Sequence, residues 1–327
     1  MGELTMVEAV AMALARALDE DPDVVLLGED IGRDGGVFRA TAGLLDRFGA
    51  DRVRDTPLAE SAIAGVSVGM AAQGLRPVCE IQFMGFVYPA LDQMLSHAAR
   101  LRNRTRGRLS CPMVLRAPYG GGIHAPEHHS ESTEALFAHI PGLRVVIPSS
   151  PVRAYGLLLA AIRDPDPVVF LEPKRIYRAV REEVADDGAA LPLDRCAVLC
   201  RGSDVTLVSW GAMLTETLDA ADALSAEDGI EAEVIDVCTL KPLDAATIRA
   251  SVERTGRCVI VHEAARTGGF GAEIAARLAE TALVSLLAPV VRVTAPDTVV
   301  PLLKLERHYM PAAADIVAAV RRTMEYA

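Results

Sequence analysis

Long apolar runs are missing from this 327-residue chain, and none approaches the roughly eighteen residues that a helix needs to cross a bilayer. The opening MGELTMVEAV also lacks a basic segment followed by an apolar one, so the expectation is a cytoplasmic protein with no membrane role. Basic charge is scarce as well. Lys plus Arg number 33 against 44 for Asp plus Glu, and the formal net charge of −11 repels a phosphate backbone, which argues against nucleic acid as a partner. The six cysteines (Cys79, Cys111, Cys196, Cys200, Cys238, Cys258) show no paired two-residue spacing. That excludes a zinc ribbon or a vicinal redox pair and leaves reduced, mostly buried thiols. Aromatic residues make up only 4%, and Asn103 is the single asparagine.

Apolar residues of other kinds are plentiful. At 51% hydrophobic, the chain can bury a large core and divide into two domains of ordinary size. Thr5 followed by Glu8 is a capping-box pattern, and Val7, Val10, Ala11, Leu14 and Leu18 recur at helical spacing behind it. Then comes VVLLG (24–28), a short continuous apolar run closed by glycine, as in a strand buried on both faces of a parallel sheet. Similar runs follow at RPVCEIQF, PMVLRAP, LRVVIP and PVVFLEP, with helical segments over 61–74, 88–101 and 151–163. Around 176–203 the pattern gives way to charged, turn-rich sequence. A second α/β series then runs through DVTLVSWG (204–211), IEAEVIDV (230–237), RCVIVHE (257–263) and APVVRVTA (288–295). The expectation is two doubly wound α/β domains: residues 1–185, a linker at 186–203, and residues 204–327.

Three segments carry candidate chemistry. APYGGGIHAPEHHSES (117–132) holds His124, His128 and His129 behind three glycines. Its glycine- and proline-rich character does not fit the helical zinc motif, and two readings remain: a solvated loop, or a functional loop at the strand end where open α/β sheets gather ligands. In DTPLAESAIAGVSVGMAAQG (55–74), Glu60 opens an apolar, small-residue helix. It reads either as an acid suited to the first helical turn or as a desolvated carboxyl of raised pKa. EIQFMGFVYPALDQ (80–93) gathers Gln82, Phe83, Phe86 and Tyr88 near another strand end. In so aromatic-poor a chain that cluster is core by default, or a stacking surface for a planar ligand.

Taken in order, LGEDIGRDGGVFRATAGLLDRFG, DTPLAESAIAGVSVGMAAQGLRPVCEIQF, RAPYGGGIHAPEHHSES, GLRVVIPSSP and DPVVFLEPKRIYR resemble the β subunit of the thiamine-diphosphate-dependent decarboxylating component of 2-oxo-acid dehydrogenase complexes, of pyruvate or branched-chain type. DVCTLKPLD and VHEAARTGGFGAEIA extend the resemblance through the second half. It implies a transketolase-like pyrimidine-binding domain followed by a transketolase C-terminal-like domain used mainly for assembly. By the same resemblance Glu60 matches the glutamate that hydrogen-bonds the cofactor's aminopyrimidine ring nitrogen. Phe86 matches the aromatic packed on that ring, Leu58 and Gln82 line the same pocket, and His129 aligns with the active-site histidine that handles protons. A structural potassium ion on the backbone carbonyls of Cys111, Met113 and Val114 is implied in the same way.

The family's cofactor diphosphate is held through magnesium, which needs hard oxygen ligands, usually from a Gly-Asp-Gly motif and a later asparagine. Here RDGGV (33–37) is the nearest approach, and it lies far from Asn103 in sequence. The chain therefore resembles half a site. The resemblance implies an α subunit holding magnesium and the phosphates in a two-α, two-β heterotetramer, which acts on a 2-oxo acid and passes the acyl group to a lipoyl acyltransferase core. Acetoin dehydrogenase, which uses the same subunit type, is the near alternative. A non-catalytic assembly module of the same fold and a zinc hydrolase built on the histidine loop are the others. The arginine run RLRNRTRGR (100–108) reads as a solvated helix end or a partner contact, and RTGGFGAEIAARL (266–278) as a tight turn rather than a phosphate loop.

Overall fold

The computed structural model describes residues 2–326. Thr5 caps the helix Met6–Glu20 reciprocally: its hydroxyl accepts the Glu8 N–H, and the Glu8 carboxylate accepts the Thr5 N–H at 2.7 Å. The next strand, Val24–Gly28, is buried along its whole length. It belongs to a seven-stranded sheet ordered Thr239–Lys241, Arg144–Val146, Val168–Pro173, Val114–Tyr119, Arg76–Glu80, Val24–Gly28, Val53–Asp55. All neighbours are parallel except Thr239–Lys241, which comes from the second half of the chain and runs antiparallel along one edge.

Period-two alternation separates the two faces of this sheet. Val78, Val114, Val168 and Phe170 join the helices Met6–Glu20 and Pro151–Arg163 on one side. Cys79, Leu115, Val169 and Leu171 join Glu60–Ala72 and Tyr88–Ser96 on the other. A second sheet follows, with Val291–Ala295, Cys258–Ala265, Val205–Ser209 and Ala232–Asp236 parallel and Ala197–Cys200 antiparallel at the edge. Its residues Val208, Trp210, Ile235 and Ile260 lie in the same buried cluster as Leu115 and Val169, so one apolar core runs through both halves.

The differences from the sequence reading sit at short elements. The segment read as a linker contains the strand Ala197–Cys200, and Thr239–Lys241 crosses to the first sheet. Both are edge strands of only three or four residues, too short for a run such as AVLC to stand out from its charged surroundings, and each gets its register from a partner far away in sequence. The strand expected through Phe83 stops at Glu80, and the helix expected over 88–101 breaks at His97, which leaves helical backbone before the short pieces Ala98–Arg100 and Leu101–Arg104.

Three strands of the first sheet are also joined by a buried ion cluster. Arg116, 2% exposed, donates Nε and Nη2 to Glu172 at 2.6 and 2.9 Å and Nη1 to Glu80 at 2.8 Å, while the Tyr177 hydroxyl also donates to Glu172. Burial pushes the Glu80 carboxyl up, and the Arg116 charge pulls it back down. Such a cluster is costly to assemble and worse to break, because removing one partner strands the others away from water. Arg116→Met is therefore expected to lower unfolding stability by about 3–5 kcal/mol, read from the denaturant midpoint. A midpoint within error of the parent protein would contradict the ion-cluster account.

Candidate active site

The parallel strands of the first sheet all point the same way, so their C-terminal ends share one edge, where ligands of open α/β sheets collect. Strand Val24–Gly28 delivers Glu29 and Asp30 there, Arg76–Glu80 delivers Gln82 to Phe86, Val114–Tyr119 delivers the histidine loop, and Val168–Pro173 delivers Lys174. Strand Val53–Asp55 leads to Glu60, the first residue of the helix Glu60–Ala72. Glu60 is half-buried, and its charge reaches Glu29. The Glu29 carboxyl is held above the ordinary carboxylate range, first by burial and then by the charges of Glu60 and Asp30. Gln82 Nε2 lies 3.4 Å from Asp30 Oδ2, at the same edge. Leu58, expected to line a pocket, is 81% exposed.

The aromatic cluster and the histidine loop meet here. His129 packs edge-on against Phe83 and Phe86, with ring centroids 4.4 and 5.2 Å away, and the two phenyl rings lie 5.8 Å apart at 78°. His129 Nδ1 is buried without a hydrogen-bond partner. The loop presses so closely on the Phe83–Phe86 turn that a Cβ on Gly85 would sit 2.0 Å from the His128 carbonyl oxygen, and only glycine fits. His128 lies on the outer side of the same cluster, its ring centroid 6.2 Å from that of Phe86, and His124 faces elsewhere. His128 Nδ1 is 3.6 Å from Glu131, which also accepts the Tyr88 hydroxyl, and His124 Nδ1 is 2.8 Å from Glu306. Among the described residues no group of three His, Cys, Asp or Glu is arranged to hold a metal.

The two segments weighed for magnesium lie apart. Gly32 and Arg33 donate backbone N–H to Asp55 at 2.6 and 3.1 Å, while Gly35 and Gly36 turn through positive φ, so RDGGV is folded against its own sheet edge. Asn103 lies in a groove with Arg102, Cys111, Arg144 and Asp166, by the N-terminal ends of the strands. The glycines of RTGGFG, for their part, make room for His262: a Cβ on Gly269 or Gly271 would come within 2.7 or 2.8 Å of its ring.

Sequence reasoning missed a buried polar layer behind Phe83. Lys174 is 4% exposed, its Nζ stands 6.0 Å from the Phe83 ring centre, and that Nζ has no hydrogen-bond partner. Burial brings its pKa down to about 7 against the opposing pull of Glu263 and Glu306. Around it are Tyr119 and Glu263, with orphaned oxygens, and Glu134, whose Oε1 accepts the Trp210 indole N–H at 3.3 Å. Burial raises Glu134 to about 7. These residues sit singly at the ends of apolar strands or on other elements, and only the packing of the two sheets brings them together. The one sequence signal was a charged residue closing an apolar run, as Lys174 does directly after its strand in VVFLEPK and Glu263 does within its strand in VIVHE.

Residues 2–180 match the family profile "Transketolase, pyrimidine binding domain", and 194–316 match "Transketolase, C-terminal domain". The chain is 48% identical to the pyruvate dehydrogenase E1 component subunit beta of Bacillus subtilis (strain 168), over 100% of both proteins. It is 49% identical to the protein of the same name from Acholeplasma laidlawii, over 98% of each. Among solved structures, a split-gene transketolase described as an inactive beta4 tetramer superposes with a TM-score of 0.82 at 26% identity, covering 99% of both chains. A transketolase variant from Pichia stipitis shows the same fold at 14% identity and a TM-score of 0.71, with 46% of its chain covered.

Gly85→Ala is expected to lift the Glu127–His129 turn off the Phe83–Phe86 turn. Amide hydrogen exchange over 125–131 would then speed up while the strands keep their protection. Unchanged exchange across the loop would contradict the close approach.

Proposed function

The chain belongs to the family of pyruvate dehydrogenase E1 component β subunits, and from that premise we propose that its sheet edge forms the pyrimidine half of a thiamine diphosphate site completed by an α subunit. It is the β subunit of a 2-oxo-acid dehydrogenase. Pyruvate is the substrate we favour over branched-chain 2-oxo acids and acetoin, because the relatives of 48–49% identity carry that name along their full length.

The donor set suits half of such a cofactor. A carboxylate at a helix start beside a second, protonation-prone carboxyl, an aromatic floor and an orphaned imidazole nitrogen fit an aminopyrimidine ring. The RDGGV segment, folded against Asp55, and Asn103, by the N-terminal strand ends, do not come together to hold a magnesium diphosphate. When bound, thiamine diphosphate supplies the electron sink that lets a 2-oxo acid lose carbon dioxide. The chain's own residues act around it. With the cofactor bound, Glu60 would hold and share a proton with the ring nitrogen, Phe86 and Leu58 would contact the ring, Gln82 would help orient it, and His129 would move protons beside it. Glu60 is the observation on which the reading rests, because it opens a helix at this edge, half-buried beside the raised carboxyl of Glu29.

Support for the α partner comes from the surface next to Glu60. Leu58, just before the helix Glu60–Ala72, and Ala62, Val66 and Gly69 along one stripe of it are exposed, an apolar surface suited to close packing against another chain. A two-α, two-β assembly, delivery of the acyl group to a lipoyl acyltransferase core, and magnesium held mainly by the α chain complete the proposal. The same proposal divides the chain at 1–185 and 204–327 and places the protein in the cytoplasm, in keeping with six unpaired cysteines. It also includes potassium at Cys111, Met113 and Val114. The first two carbonyls already accept the N–H groups of Met113 and Val168, which leaves each one lone pair for the ion.

Co-expression with the α subunit and an assay on pyruvate, branched-chain 2-oxo acids and acetoin tests the reading. Pyruvate is expected to turn over fastest, and the absence of turnover on all of them would favour a non-catalytic assembly module. In the active assembly Glu60→Gln is expected to cut turnover by about 100-fold or more with the fold intact, because the amide cannot share the proton. A near-parental rate would contradict the role of Glu60.

A further inference from the structure

We propose that Glu306, from the second half of the chain, is a positioning residue for the site: its carboxylate sets the path of the glycine loop and thereby holds His129 in place. Glu306 is 2% exposed and opens the short helix Glu306–Tyr309. Its Oε1 accepts the N–H of Gly122 at 2.7 Å, and its Oε2 accepts the N–H of His124 at 3.0 Å and faces His124 Nδ1 at 2.8 Å. One carboxylate therefore grips two loop amides and a side chain from more than 180 positions along the chain. Glu263 closes on the loop from beside it, with Oε2 3.4 Å from the Gly121 N–H.

The three glycines follow from this approach rather than from a ligand. A Cβ on Gly120 would lie 2.3 Å from Glu263 Oε1, one on Gly121 3.0 Å from the Met310 sulfur, and one on Gly122 2.3 Å from Arg175 Cδ. The loop must therefore present bare backbone to the second half of the chain at Gly120 and Gly121, and to the Arg175 side chain at Gly122. From His124, held at φ +59°, the path to His129 is short and stiff. Pro126 restricts the backbone, His129 N–H returns to the Pro126 carbonyl at 2.9 Å, and the Ser130 hydroxyl returns to the carbonyls of Ala125 and Pro126. At the far end the Gly120 N–H bonds to the Glu131 carbonyl at 3.0 Å and closes the loop on itself. A displacement at residue 124 therefore reaches the imidazole with little slack to absorb it. The second half of the chain thus contributes to the chemistry as well as to assembly, and the inference rests on the reading of His129 as the proton-handling group.

The test compares Glu306→Ala and Glu306→Gln in the assembled α/β enzyme. Glu306→Ala is expected to lower kcat by about tenfold or more, while half-saturation by thiamine diphosphate moves by less than about twofold, because misplacing a catalytic group costs rate before it costs cofactor binding. Glu306→Gln keeps an acceptor oxygen for one of the two amides but sets an NH2, which only donates, against the other, so it is expected to recover part of the loss, with kcat about threefold above that of Glu306→Ala. Equal loss of kcat, cofactor affinity and thermal midpoint in both variants would reduce Glu306 to a general structural role and overturn the proposal. A second readout does not depend on turnover: a glutamate-specific protease should cut Glu306→Ala faster after Glu127 and Glu131 than the parent. Equal cleavage would overturn the clamp even if the assembly were active, whereas an inactive parent assembly with a cleavage difference would overturn the functional reading alone.

Discussion

Residues 120–131 run between two surfaces that leave them no freedom, and the arrangement of the site depends on this confinement. On one side the carbonyl of His128 lies against Gly85, with no room for a methyl group. On the other, Glu306 and Glu263 press on the backbone of Gly120 to His124 from the second half of the chain. A loop at a sheet edge is ordinarily the most mobile part of an α/β protein. Here the restraint from both sides keeps an unpartnered imidazole nitrogen at a set distance from two aromatic rings. Pre-organisation of this kind lets a proton-handling group act without reorganising at the moment of reaction.

Electrostatics divides the layer into an acidic front and a mixed interior. At the front, Glu29, Glu60 and Asp30 share one edge, and burial first, then the charges of Glu60 and Asp30, hold Glu29 in its protonated form to higher pH. Behind Phe83, burial works on Lys174 in the opposite direction and lowers it towards 7, while Glu134 rises to about the same value. Groups that titrate near neutrality within a dry core cluster where proton traffic is needed, and this layer sits directly beneath the aromatic floor of the site. The fully paired Arg116 cluster shows the contrasting case, in which every charge has a partner and the outcome is rigidity.

Continuous apolar strands and periodic helices were legible in the sequence because their signal is local. VVLLG, PVVFLEP and the helix 151–163 lie where their patterns place them. The Thr5 capping box is closed as its spacing suggests. Elements whose register depends on remote partners were not legible, which is why Ala197–Cys200 was hidden in an apparent linker and Thr239–Lys241 gave no hint of joining the other sheet. The site divides in the same way. Glu60, Gln82, Phe86 and His129 follow strand ends and can be found from motif order. Glu306 and Lys174 are placed through packing alone, and the three loop glycines are required by groups that the fold brings in from elsewhere: Glu263 at Gly120, Met310 at Gly121 and Arg175 at Gly122.

The central claim is that this chain supplies a carboxylate and an aromatic floor for the ring of a coenzyme whose charged tail another polypeptide holds. Titration calorimetry of thiamine diphosphate with magnesium into the isolated chain, and into its assembly with the α subunit, tests it most directly. The account predicts no saturable binding heat for the isolated chain and stoichiometric binding for the assembly. Stoichiometric binding to the isolated chain would contradict it.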